Sequence, residues 1–142
     1  EPLPESEYAV RQYFQQGVLM LHAQQYEYAV VSLRRTLQLA PALPEAYVNM
    51  GYALLGLEQF AAAREYFMTA IDLRPAQANA YWGLAICLEQ ERDYAAAIGA
   101  MRSYIHLTDP DQPFYRRAQA AVWEWDQIRQ SSAGSDDSIE AL

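Results

Sequence analysis

The chain has 142 residues, 52% of them apolar and 20% charged, with a formal charge of −8 at pH 7. That is one domain's worth of chain with enough apolar material for a core, and no apolar run nears the roughly 18 residues of a membrane helix. Residues 8–130 hold twelve acids and ten arginines, and the two ends carry the other six acids, so the body is nearly neutral and lacks the basic face that nucleic acid requires. A single cysteine, Cys87, excludes an internal disulfide.

In chain order, EPLPESE at residues 1–7 has two prolines, three glutamates and no apolar period, and reads as a flexible leader. The first helix starts at Tyr8, with Tyr13, Gly17 and Met20 on one stripe. Ala23 to Gln25 turn the chain, and a second helix runs from about Tyr26 to Ala40. Pro41 stops it, since proline lacks the N–H that a helix interior uses, and Pro44 sits where a first turn accepts proline. Asp93 is placed to cap the helix 94–107. TDPDQP at 108–113 breaks the chain again. A last helix, about 113–130, carries Phe114, Ala118, Ala121, Trp125 and Ile128 on one stripe, so these are expected to pack inward. Trp123 lies about 200° around that helix from Trp125; with Trp125 given to the core, Trp123 is the candidate exposed anchor. Residues 131–142 are small, polar and acidic and are expected to form a flexible tail.

The organising feature is a period of 34. Tyr13, Gly17, Ala29, Leu33 and Pro41 recur as Tyr47, Gly51, Ala63, Phe67 and Pro75, then as Tyr81, Ala85, Ala97 and Met101, with Pro110 one residue late. A fixed period of this length marks an array whose units bury their apolar faces only by stacking. Over residues 10 to about 110 the pattern resembles the tetratricopeptide repeat. The resemblance implies an all-α, right-handed solenoid of three helix-turn-helix repeats, about 10–43, 44–77 and 78–111, with a C-terminal capping helix. It also implies that the signature residues are packing residues.

The resemblance further implies which residues line the concave surface, at the second, fifth, ninth and twelfth places of each repeat. Those are Arg11, Phe14, Val18 and Leu21; then Glu45, Val48, Tyr52 and Leu55; then Asn79, Trp82, Ile86 and Glu89. Eight of the twelve are apolar, which makes an expected trough, and a large exposed apolar patch marks an interaction site. Asn49 is placed to bond peptide backbone, and Arg11 or Arg34 to bind an acid. The carboxylate clamp used by family members that seize heat-shock chaperones would fall on Phe14, Val18, Asn49, Asn79 and Gly83, of which only Asn49 agrees. The expected partner is therefore a protein segment with hydrophobic anchors, bound by a non-enzymatic scaffold or adaptor. The alternatives are self-association through the groove or tail, as a subunit of a larger assembly, and a type III secretion translocator chaperone, whose layout is similar.

No catalytic constellation accompanies this. His22 and His106 stand 84 residues apart, neither is spaced to share a metal with Cys87 or to serve a nucleophile, and there is no phosphate loop or His-Glu-x-x-His pattern. No cofactor, metal or enzymatic activity is expected. The all-arginine basic set reads as GC-rich codon usage. The compartment is left open between a bacterial cytoplasm and periplasm, with an anchored or secreted precursor as an alternative because residue 1 is not Met.

Overall fold

The computed structural model describes residues 5–140, with side chains through residue 134. Seven helices make up the described chain: α1 (Glu5–His22), α2 (Tyr26–Leu39), α3 (Pro44–Gly56), α4 (Phe60–Leu73), α5 (Ala78–Gln90), α6 (Tyr94–Leu107) and α7 (Pro113–Glu140). They pair as α1–α2, α3–α4 and α5–α6, each first helix also resting on the second helix of the preceding pair, and α7 closes on α6.

The same turn makes every hairpin. Gln24, Glu58 and Arg92 each adopt left-handed backbone with φ of 58°, 59° and 62°. The following N–H reaches back five residues, Gln25 to the Met20 carbonyl at 2.8 Å, Gln59 to Leu54 at 2.9 Å and Asp93 to Leu88 at 2.9 Å. Gln24, Glu58 and Arg92 themselves donate to the carbonyls of Leu21, Leu55 and Glu89. This pair of bonds satisfies carbonyls that a helix end leaves bare and reverses the chain in three residues. Asp93 alone adds a side-chain cap, accepting from the Ala96 N–H at 3.2 Å. Between hairpins the prolines stop α2 and α4, and the Tyr47 hydroxyl donates to the Pro41 carbonyl at 2.7 Å.

Close approach around Phe67 depends on two glycines. Phe67 has no exposure, and a Cβ on Gly51 or Gly83 would come within 2.6 or 2.2 Å of its ring. One aromatic ring thus fills the space between α3, α4 and α5, which real side chains on those two positions would deny it. The core divides into one cluster over the first two pairs and the facing side of α5, with Ala80 and Cys87, and another over α5, α6 and α7; Leu84 packs against both. Trp125 is 2% exposed in the second cluster, and its indole N–H donates to the Glu89 carboxylate, which ties α7 to α5.

Both ends differ from the expected domain limits. α1 begins at Glu5, inside the stretch read as leader, because Glu5 and Glu7 place negative charge at a helix N-terminus, where the dipole favours it. α7 continues through 131–140, the stretch read as tail; that stretch holds no proline, and the helix already formed needs no new nucleus to extend. No described helix is long and apolar enough to cross a membrane.

Candidate partner-binding site

A hollow of about 280 Å³ opens where three successive units meet, lined by Tyr52 on α3, Asn79 and Trp82 on α5, Tyr104 on α6 and Phe114 on α7. Helix α3 has α1 on one side and α5 on the other, whereas α7 packs on α6 without a comparable approach to α5. That wider spacing leaves room beside Trp82. The rings stand edge to face, Trp82 with Tyr104 at 5.0 Å between centroids and with Phe114 at 5.5 Å, a geometry that suits their quadrupoles.

Tyr52 is part of the wall and also of the frame. Its ring packs edge-on against Phe67 at 4.9 Å, and its hydroxyl donates to the Asn79 carbonyl at 2.5 Å. Burial pushes that hydroxyl's pKa above the usual phenol range, so it stays a proton donor committed to the backbone. The polar chemistry at the mouth comes from elsewhere: the exposed Asn79 amide, and the Arg117 guanidinium 5.3 Å from the Phe114 ring. Arg116 and Arg117 are both exposed, and among the described residues neither forms an ion pair.

The expected trough is thus only partly assembled. Tyr52 and Trp82 meet in the hollow above. Arg11 and Phe14 line a different one, of about 400 Å³, with Glu7, Val10, Leu43 and Glu45. Leu21, Leu55 and Ile86 are half-buried against the two core clusters, and Val18 and Asn49 are half-buried. Val48 is a correction: it is 2% exposed and belongs to the core, because α3 is flanked by first helices on both sides. Glu45 is drawn into an ion pair with Arg74, and Glu89 is held by the Trp125 indole. Trp123 is 68% exposed.

Two wall residues, Tyr104 and Phe114, were not on the expected surface, and Phe114 was placed on the packed stripe; it is 45% exposed. The connection before α7 spans five residues, 108–112, where the earlier ones span four. Equivalence therefore shifts from 34 to 35 residues, and Phe114 takes the place of Asn79 in the preceding unit, Arg117 that of Trp82. Pro110, one residue late in the repeat pattern, was the signal that could have shown it.

Cys87 does no chemistry here. It is fully buried, and burial, with Glu91 adding to it, pushes its thiol up to about 12, so the reactive thiolate is absent at neutral pH.

Stacked helical hairpins with an aromatic hollow between units define a repeat solenoid of the kind that meets partners on its surface. Residues 48–113 match a sequence model of the tetratricopeptide repeat, and solved tetratricopeptide domains share the fold of this chain. The TPR2B domain of yeast Sti1, in its complex with pHsp70, superposes with a TM-score of 0.77 at 19% identity over 85% of this chain and 98% of that one. The type III secretion translocator chaperone SycD of Yersinia enterocolitica gives 0.80 at 14% identity over 85% and 86%. Among curated proteins, the BBSome complex member BBS4 homolog of Drosophila melanogaster is 31% identical over 85 residues. That is 60% of this chain but 18% of the fly protein, so the chain spans less than a fifth of that relative's length.

Proposed function

We propose that this chain is a non-enzymatic interaction module that holds a linear segment of another protein, with one large apolar side chain of that segment in the hollow between Tyr52, Trp82 and Phe114. An acidic residue close to the anchor faces Arg117 and Arg116. The observation that carries this reading is the hollow itself: aromatic walls drawn from three units, Phe114 45% exposed at the mouth, and cationic side chains without ion-pair partners beside it. A Leu, Met or Phe anchor buried there contributes roughly 1.5–3 kcal/mol. Micromolar affinity needs about 8 kcal/mol, so the anchor sets register and specificity, and contacts toward Arg11 and Phe14 complete the binding.

Nothing in this surface supports the acidic chain terminus of a heat-shock chaperone as ligand. Phe14, Val18 and Gly83 stand where a carboxylate clamp would need polar groups, and Gly83 is buried against Phe67. The pHsp70 of the Sti1 complex is therefore not carried over, and the likeness to SycD supports a shared fold.

Selection of random displayed peptides of about twelve residues against the chain tests the reading. The expected winners carry a large apolar residue with Asp or Glu within a few places. Phe114→Glu weakens them by at least about tenfold, and Arg117→Glu weakens them less, in a salt-dependent way. Winners without an anchor, or winners indifferent to Phe114→Glu, overturn it.

A further inference from the structure

Four aromatic side chains, Tyr52, Trp82, Tyr104 and Phe114, and one amide, Asn79, line the hollow between α3, α5, α6 and α7, and no carboxylate does. An apolar anchor needs only apolar walls, and aliphatic ones would receive a Leu or Met equally well. Aromatic walls offer something more. The face of an aromatic ring carries negative potential and attracts cations, quaternary ammonium groups held among several rings above all. The interplanar angles of 65° between Trp82 and Tyr104 and 64° between Trp82 and Phe114 exclude flat stacking. Each such contact uses at most one face of one ring, so the rings do not consume one another's faces. Phe114 already shows the preference, since the Arg117 guanidinium lies 5.3 Å from its centroid.

That arginine also restricts which cation fits. Arg116 stands next to it, and among the described residues neither forms an ion pair. Two positive charges beside a hollow without carboxylates repel a simple ammonium. A ligand with an anion a few bonds from its ammonium turns that repulsion into attraction. The hollow, at about 280 Å³, lies just under the roughly 300–1,000 Å³ of drug-sized pockets, so the ligand is compact.

We propose that this hollow binds a compact zwitterion, a trimethylammonium group with a phosphate two carbons away, the chemistry of phosphocholine. The trimethylammonium lies among Tyr52, Trp82, Tyr104 and Phe114, and it brings no N–H donor that the rings would leave unsatisfied. The phosphate lies at the mouth, where the Arg117 guanidinium and the Asn79 amide donate to it. Phosphoethanolamine, by contrast, would bury N–H donors among rings that accept them poorly. The proposal uses the walls of the partner-binding hollow without resting on the peptide reading. Phosphocholine competes with a peptide anchor, since both place a bulky group inside and an anion outside, yet either can bind if the other does not.

Calorimetric titration, together with the NMR shift of the Trp82 indole, tests this with phosphocholine, phosphoethanolamine and 3,3-dimethylbutyl phosphate. The last keeps the shape of phosphocholine but has carbon in place of the ammonium nitrogen. Phosphocholine is expected to bind saturably and at least about fivefold tighter than either of the others. Phe114→Leu, at an exposed position, keeps an apolar wall without a π face. It weakens phosphocholine by a similar factor and leaves the binding of a Leu-anchored peptide nearly unchanged. Arg117→Gln weakens phosphocholine yet strengthens choline, which carries the cation alone. Phosphatidylcholine vesicles separate the two sources of this chemistry: a chain that sediments with them takes a lipid headgroup, and one that binds only free phosphocholine takes a soluble ligand. Absence of saturable phosphocholine binding up to about 50 mM overturns the proposal. So does a carbon isostere that binds as tightly, or indifference to Phe114→Leu. A failure to select peptides leaves these outcomes untouched and overturns the peptide reading alone.

Discussion

Helix α7 packs over the α5–α6 pair, whereas among the described residues no helix precedes α1 to cover its outer face, although both pairs carry the same repeat pattern. Trp125 seals the α5–α7 region at 2% exposure, while Leu19 stands 68% exposed in the register where Cys87 is fully buried. The difference shows that burial in this array belongs to neighbours and only secondarily to the repeat. A residue in a given place of the motif is core or surface according to what stacks on it.

Substitutions in the two regions should separate accordingly. Trp125→Ala, which empties the sealed region and leaves the Glu89 carboxylate without its donor, should cost about 3–5 kcal/mol in urea unfolding followed by circular dichroism. The same register changed in opposite senses sharpens the contrast: Ala53→Leu overpacks the covered face and costs about 1–3 kcal/mol, whereas Leu19→Ala on the outer face of α1 stays within about 0.5 kcal/mol. A cost for Leu19→Ala matching that of a core truncation would mean that this outer face is covered.

Cysteine reactivity reads the same register without unfolding anything. Native Cys87 should resist a thiol reagent that labels a Leu19→Cys variant within minutes. Alkaline pH gives a further check. The folded state holds the Cys87 proton up to about 12, against 9.0 for the unperturbed thiol, so it retains a proton that the unfolded chain releases. Stability therefore falls as pH rises above about 9, and Cys87→Ala should flatten that decline. The smallest effect expected is at a turn. Glu58→Gly relieves a left-handed residue at φ 59° and should raise stability by roughly 0.5 kcal/mol, after the added freedom of glycine in the unfolded chain is offset.

Much of the fold was legible because its signals are local. The 34-residue period, the three-residue turns, the prolines between hairpins and the Asp93 cap each follow from a few adjacent residues. The opposition of Trp123 and Trp125 follows from helix geometry alone. The site was less legible because it depends on spacing between helices. Val48 fits the surface pattern as well as Trp82 does, but α3 has a first helix on each side and α5 does not, which sequence position alone does not express. Phe114 moved from packed stripe to pocket wall through a single added residue before α7. Tyr52 was expected to be a free surface ring, and its bond to the Asn79 carbonyl makes it a structural residue as well, so Tyr52→Ala would test folding and binding together.

The chain's three tryptophans give each region its own reporter: Trp82 in the hollow, Trp123 on the outer face of α7, Trp125 within the sealed region. Amide and indole NMR spectra recorded while titrating in a selected anchor-bearing peptide measure the central claim directly. The account expects the Trp82 indole and the Asn79 side-chain amide to shift saturably while the Trp125 indole holds still. Shifts at Trp123 or Trp125 with Trp82 unmoved would contradict it.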